Sequence, residues 1–246
     1  MSKPQSRELV VIRKSYITPH MLRVTLGGNE INTIPEDQES GYVKLIFPTE
    51  NQKPLLRTYT IRHQRENEID IDFVLHEDGG PASTWAKHAQ PNDRILVGGP
   101  GPKKLIEESA QWQIIVGDMT ALPAISVNLE KLPMDAKGYA ILEIISEDDI
   151  QPLKHPEGIE LKWVINPHPG ENNNLLLEEV KSLSWPKGSV SVWTACEFSN
   201  MKALRSFFKV EKEVEKDKLY ISSYWKLGSN EDQHKVVKRV DLEETA

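Results

Sequence analysis

The sequence predicts two joined folds, an N-terminal antiparallel β-barrel and a C-terminal α/β domain with a parallel sheet. Three observations carry this. Up to about residue 105 the chain reads as short strands separated by turn residues. GGPGPKK (98–104) then places three glycines and two prolines within seven residues, which no strand or helix continues through. From about residue 111 apolar strands alternate with helical segments, the rhythm of crossover helices on a parallel sheet. The expected division is 1–107 and 108–246.

In the first half the expected strands are ELVVIRK (8–14), HMLRVTL (20–26), YVKLIF (42–47), RTYTIR (57–62), EIDIDFVL (68–75) and DRILVGG (93–99). EIDIDFVL sets Ile69, Ile71, Phe73 and Leu75 on one face and Glu68, Asp70 and Asp72 on the other, the pattern of a half-buried strand. PASTWAKHAQ (81–90) is the one helix expected here. In the second half strands are expected at 111–118, 139–145, 160–165, 189–195 and 218–225. Helices are expected at 121–132, near 173–183, at 199–209 and at 230–239, with Pro123 confined to a first turn.

The 246 residues include 37 acidic and 30 basic side chains, a net charge of −7, which opposes nucleic acid and anionic membranes. Cys196 is the single cysteine, so no internal disulfide and no cysteine-based metal cluster forms. His63, His76 and His88 fit no metal-ligand spacing, and no metal site is expected. No apolar run reaches the ~20 residues of a spanning helix, and the expectation is a soluble, cytoplasmic monomer.

Four stretches are too polar or too glycine-rich to be only scaffold. RTYTIR alternates Arg57, Tyr59 and Ile61 with Thr58, Thr60 and Arg62. DFVLHEDGGPASTWA (72–86) runs from a strand through a glycine loop into a helix start, where backbone N–H groups attract phosphate. GDMTALPAI (117–125) follows the first parallel strand, and WTACEFSNMKALR (193–205) follows a later one. The carboxyl ends of parallel strands are the usual ligand position of open α/β sheets, and a crevice between barrel and α/β domain is the expected site. No G-x-G-x-x-G, Walker A, HExxH, GxSxG or CxxC motif is present.

These stretches, with YWKLGSNED (224–232), together resemble the siderophore-interacting proteins, FAD-containing ferric-siderophore reductases of the ferredoxin–NADP reductase superfamily. The resemblance implies a flavin-binding barrel and a nicotinamide-nucleotide-binding α/β domain. It places Tyr59 against the isoalloxazine, Arg57 on the flavin phosphates and Thr60 near N5, with Thr58 and Arg62 on the same strand. It assigns the pyrimidine edge to backbone near Phe73, Val74 and His76, and the pyrophosphate to Gly80, Pro81, Ala82, Ser83 and Thr84. Asp118, Thr120 and Ala121 fall in the nucleotide motif. Cys196 and Glu197 stand where related reductases approach the nicotinamide, and join Tyr59 and Thr60 as catalytic candidates, the other reading of Cys196 being a small buried residue. Two departures stand out: Met119 occupies the expected position of a glutamate, and Ala195-Cys196-Glu197 replaces the commoner A-G-E.

The resemblance also implies a small group of basic residues that receives an anionic ferric chelate, here Lys44 and Lys226 with Lys238 or Arg239. The implied reaction passes electrons from NADH or NADPH, with ferredoxin as an alternative donor, through FAD to siderophore-bound Fe(III), releasing Fe(II). SEDDI (146–150) is acidic where a ribose 2′-hydroxyl is recognised in other nucleotide folds, which leans toward NADH. The rival readings are a flavin or ferredoxin reductase of the same fold and a non-catalytic siderophore-binding module. Trp85 is expected to pack beneath the cofactor, and Trp193 and Trp225 to end strands that face the crevice.

Overall fold

The structure is a computed structural model describing residues 6–49, 53–76, 79–171 and 174–245. Glu77 and Asp78 of the glycine loop, and Asn173 at the start of the expected third helix, lie outside the described residues. The chain divides into two compact units, 1–104 and 105–246.

The first unit is a closed barrel of six antiparallel strands. These are β1 (Arg7–Thr18), β2 (Met21–Gly27), β3 (Tyr42–Phe47), β4 (Leu55–Arg65), β5 (Glu68–Val74) and β6 (Arg94–Gly101), in the order β1-β2-β5-β4-β3-β6. Helix α1 (Pro81–His88) follows β5. Alternation fills the inside: Val43, Leu45, Ile61, Ile69, Ile71 and Phe73 are all fully buried. Trp85 packs edge-on to Phe47 and tilted against Phe73.

The outward face of β5 is where alternation alone misleads. Glu68, Asp70 and Asp72 do face away from the core, but Asp70 and Asp72 are buried under an ion-pair lattice laid across three strands. The register sets Arg23 opposite Asp72 and Thr25 opposite Asp70 on β2, with His63 and Arg65 opposite Asp70 and Glu68 on β4. Arg23 grips Asp72 at 2.6 and 2.7 Å. Asp70 accepts from Arg65 at 2.9 and 2.7 Å and from Thr25 at 2.7 Å, and lies 3.1 Å from His63 Nδ1. Glu68 joins Arg65 to Arg13. Burial opposes the Asp70 charge, but the bonds from His63, Arg65 and Thr25 outweigh it and hold the carboxyl well below the usual carboxylate range.

The second unit is a parallel five-stranded sheet in the order β11-β10-β7-β8-β9. Its strands are β7 (Trp112–Gly117), β8 (Lys137–Ile144), β9 (Gly158–Ile165), β10 (Val190–Glu197) and β11 (Leu219–Trp225). The helices are α2 (Leu122–Lys131), α3 (Leu175–Ser182), α4 (Phe198–Ser206) and α5 (Glu231–Thr245), with a π-helical turn at Phe207–Glu211. β10 is buried along its whole length, as expected of a strand covered on both faces. Pro123 falls in the first turn of α2. Gly117 ends β7 where a Cβ would lie 2.6 Å from the Ala195 carbonyl oxygen and 2.7 Å from Ile125 Cδ1, so only glycine fits between sheet and helix. Trp193, expected at the crevice, is fully buried and stacks on Tyr220.

The lattice on β5 makes a pH-dependent prediction. Asp70 has a folded-state pKa below its unfolded value, so its contribution is present above the unfolded value of 3.8 and is lost as pH falls below it. Asp70→Asn removes the charge shared by Arg65, His63 and Thr25, while Arg65 keeps Glu68, and is expected to destabilise the barrel by about 1 kcal/mol at neutral pH. Denaturant titration of both proteins should show that gap closing as the solution is acidified through the wild-type transition.

Candidate cofactor and substrate sites

In the barrel, the RTYT segment lies where the sheet opens. The β4–β5 ladder runs from Arg65 opposite Glu68 only to Ile61 opposite Ile71, while β5 continues beside β2 to Val74 and β4 beside β3 to Leu55. The β5-facing edge of Leu55–Thr60 and the β4-facing edge of Asp72–Val74 are therefore outside the ladder. Ile61 exchanges its main-chain bonds with Gly41 and Ser40 on the β3 side. Alternation then turns the main-chain groups of Thr58 and Thr60 toward the opened edge. Tyr59 lies on the inner face with Val43, its ring 4.4 Å from that of Phe73 and tilted by 39°. Arg57 shares that face and donates to the Leu56 carbonyl at 2.9 Å. Lys44 pairs across the strands with Thr58 and reaches its hydroxyl at 3.3 Å.

Arg62 departs from the alternation expected of it. A bulge between Ile61 and His63 breaks the register, and Arg62 is 8% exposed in the barrel wall. Enclosed this way, it drops out of the proposed cofactor set.

At the end of β5, Val74 is half-buried and His76 exposed. Gly80 caps α1 and Pro81 occupies its first turn, so the orphan N–H groups of the helix start fall to Ala82 and Ser83. A Cβ on Gly80 would meet no atom of the described residues within 4 Å. The hydroxyls are arranged differently from expectation. Ser83 is buried and donates to the Gly80 carbonyl at 3.0 Å, and Thr84 donates to the Gly79 carbonyl at 3.2 Å. They brace the loop, and the donors left for an anion are backbone ones. An opened main-chain edge, a half-buried aromatic ring, a guanidinium and a helix start fit a flavin nucleotide in chemistry.

In the second unit, the carboxyl ends of β7, β10 and β11 are joined by one side chain. Asp118 Oδ1 accepts from the Thr120 N–H at 3.0 Å and the Thr120 hydroxyl at 2.6 Å. Its Oδ2 accepts from the Glu197 N–H at 2.8 Å and the Trp225 indole N–H at 2.7 Å. Burial pushes the Asp118 carboxyl up, while four donors favour its charged form. Asp118 is 3% exposed, and Ala121 and Met119 beside it are buried, so the motif is a folded knot with Thr120 half-exposed at its rim.

Three catalytic or binding expectations are corrected here. Cys196 is fully buried in the apolar layer with Val116, Ile141 and Leu204. Burial, then Asp118, Glu143 and Glu197, push its thiol well up, so it is a small core residue with no open thiolate. Glu197 caps α4, accepting from Ser199 N at 2.5 Å and Asn200 N at 3.3 Å, and receives Leu227 N at 3.2 Å on its other oxygen. Both oxygens are engaged structurally. Lys238 donates to Ser222 Oγ at 3.0 Å and the Ser223 carbonyl at 2.9 Å, and burial lowers its pKa. It fixes α5 to β11 together with His234, whose Nε2 lies 2.8 Å from Ser223 Oγ.

Arg239 is exposed on α5. Lys226 is half-buried with its Nζ 5.2 Å from the centre of the Phe198 ring, and Lys202 approaches the same ring at 5.8 Å. In SEDDI, Asp149 is fully buried and accepts from the Ser146 N–H and hydroxyl, leaving Glu147 and Asp148 exposed. Sequence reasoning missed the Trp225–Asp118 bond, which crosses 107 positions, and the burial of Glu143. No local pattern signals either.

Asp118 makes a direct prediction. Every partner is a donor, so Asp118→Asn sets an amide N–H₂ against either the Thr120 or the Trp225 and Glu197 groups. It is expected to destabilise the second unit by about 3 kcal/mol, read by chemical denaturation, and to move the near-UV circular dichroism of Trp225. An unchanged midpoint would show that the four bonds do not hold these strand ends.

The comparisons with known proteins follow this layout. Residues 10–54 and 48–104 match the siderophore-interacting FAD-binding domain, and residues 110–228 match the siderophore-interacting protein family. The ferric vibriobactin reductase of Vibrio cholerae is 36% identical over 97% of this chain and 96% of that protein. The NADPH-dependent ferric-chelate reductase of Escherichia coli is 26% identical over 89% and 92%. The crystal structure of the siderophore-interacting protein SipS from Aeromonas hydrophila superposes with a TM-score of 0.85 at 32% identity, covering 96% of this chain and 99% of that one. With a two-part match along most of its length and a relative of this identity, the chain belongs to the siderophore-interacting protein family, and its barrel is that family's FAD-binding domain.

Proposed function

We propose that this chain is an FAD-dependent ferric-siderophore reductase that takes electrons from NADH or NADPH and passes them to siderophore-bound Fe(III), releasing Fe(II). The observation that supports it most is the opened β4–β5 edge at Arg57–Thr60 within a barrel of the FAD-binding family. The named activities of the Vibrio and Escherichia relatives support the acceptor and the donor. Bound FAD supplies the conversion of a two-electron donor into one-electron steps.

The chain's own residues bind and orient. The Arg57 guanidinium pairs with phosphate oxygens through its planar fork of donors. The Tyr59 ring, backed by Phe73, offers an aromatic face to the flavin. Main-chain groups of Thr58, Thr60, Phe73 and Val74 meet the polar edges of the ring system, and the Ala82 and Ser83 N–H groups take the pyrophosphate. Thr120, at the rim of the Asp118 knot, faces the donor nucleotide, and the exposed Glu147 and Asp148 accept from its ribose. Lys44 and Lys226, with Arg239 as the third cation, draw in an anionic chelate despite the net negative charge. Fe(II) has the lower charge density and is held more weakly by hard oxygen ligands, so reduction frees the metal. The working form in this reading is a cytoplasmic monomer with no nucleic-acid partner, with ferredoxin as the alternative donor. Among the described residues no helix is long and apolar enough to cross a membrane.

The test is donor-dependent Fe(II) formation from ferric siderophores, followed with an Fe(II)-trapping dye. Lys44→Ala with Lys226→Ala should raise the half-saturating chelate concentration by roughly tenfold, and more at low salt, while flavin reduction by the donor keeps its rate. Unchanged chelate dependence removes the two lysines from the site. Donor oxidation with no Fe(II), but with transfer to free flavin or ferredoxin, overturns the acceptor.

A further inference from the structure

Three buried carboxylates meet at the carboxyl ends of neighbouring strands: Asp118 after β7, Glu143 near the end of β8 and Glu197 ending β10. Two of them, Asp118 and Glu197, accept from donors on both oxygens, as described above. Glu143 does not. It is 2% exposed, and its Oε2 has no hydrogen-bond partner among the described residues. The same end of the sheet carries other buried amide atoms in that condition, Asn166 Nδ2 just after β9 and both side-chain amide atoms of Asn200 in the first turn of α4. Asn166 Oδ1 is already taken by the His168 N–H.

The groups that act on Glu143 are Asp118 from β7, the Asn166 side-chain amide just after β9 and Glu197 from β10, and the Cys196 thiol beside them feels all three acids. No cation is among them. A third negative charge in an enclosed space with two others is strongly disfavoured, and the one opposing contact, from the Asn166 side-chain amide, offsets it only in part while Oε2 stays unpartnered. We infer that Glu143 is a positioning residue that holds a proton beside the donor-saturated Asp118 and Glu197, and that losing it loosens the grip of Asp118 on Trp225 and Thr120. In keeping with this, burial first and the charges of Asp118 and Glu197 next push the Glu143 carboxyl up to about 7.

The consequence is a lock sensitive to pH near neutrality. With Glu143 protonated, Asp118 is the acceptor for four donors and the strand ends are held together. With Glu143 ionised, three carboxylates repel, and the bonds with the most freedom to lengthen are those to the half-exposed Trp225 and Thr120. The step from lock to donor binding rests on the proposed donor site at Thr120; the lock itself does not.

Two readouts separate the parts. The Trp225 indole N–H can be followed by ¹H–¹⁵N NMR in labelled protein, with Trp225→Phe used only to assign its signal. It is expected to titrate with a midpoint near the Glu143 value, and to stay fixed between about pH 5.5 and 8.5 in Glu143→Gln, which keeps the shape and cannot ionise. A titration that survives in Glu143→Gln belongs to another group, such as Asp118 itself, and overturns the inference. A wild-type signal that does not move overturns it equally. The second readout is the NADH concentration that half-saturates flavin reduction, chosen because NADH has no group titrating in this range. It is expected to rise roughly fivefold across neutrality in the wild type and to stay nearly flat in Glu143→Gln. An indole that titrates through Glu143 while NADH dependence stays flat would uphold the lock and overturn the donor site at Thr120.

Discussion

One carboxylate, Asp118, holds the working end of the second unit together. β7, β10 and β11 are parallel and leave their carboxyl ends open, so nothing in the ladder fixes where the following loops go. Asp118 fixes three of them with four accepted hydrogen bonds, to Thr120 in the loop after β7, to the last residue of β10 and to the last residue of β11. Glu197, which donates its N–H to Asp118, uses its side chain to cap α4 and to take Leu227 N from the next loop. The two acids form a chain of dependence, and burial makes a broken link costly because a stranded donor or charge finds no water.

The barrel solves the opposite problem. Its strands close into a ring, yet a flavin needs unpaired main-chain groups to bind. Ending the β4–β5 ladder at Ile61 puts the β5-facing edge of Leu55–Thr60 and the β4-facing edge of Asp72–Val74 outside that ladder without creating an exposed outer edge strand. Arg65 with Glu68 and Asp70 ties β5 to β4 where their ladder is complete, and Arg23 with Asp72 ties β5 to β2 beside the open part. A stiff half of the strand pair supports an open half.

The fold was legible because its periodicities are simple. Ile69, Ile71 and Phe73 alternate cleanly, and the uninterrupted apolar run of β7 marks a strand buried on both faces. The site was partly legible, since Arg57, Tyr59 and Gly80 carry chemistry that scaffold does not require. What stayed hidden depends on distant partners. Arg62 is enclosed because of a bulge, and a bulge has no reliable sequence mark. The burial of Cys196, one of two readings open to it, and of Lys238 depends on the covering helices α4 and α5, which cannot be placed from their own residues. Glu143 passed as the polar member of an apolar strand, and only the burial of that strand end gives it meaning. Asp70, read as solvated, is held by residues on two other strands.

The central claim, that electrons pass from a nicotinamide donor through flavin to chelated iron, is tested most directly by anaerobic single-turnover mixing. The purified protein should be yellow, bleach on addition of NADH or NADPH, and regain its colour when mixed with a ferric siderophore as Fe(II) appears. Bleached protein that keeps its reduced spectrum in the presence of several ferric siderophores, or protein that takes up no FAD, would contradict the account.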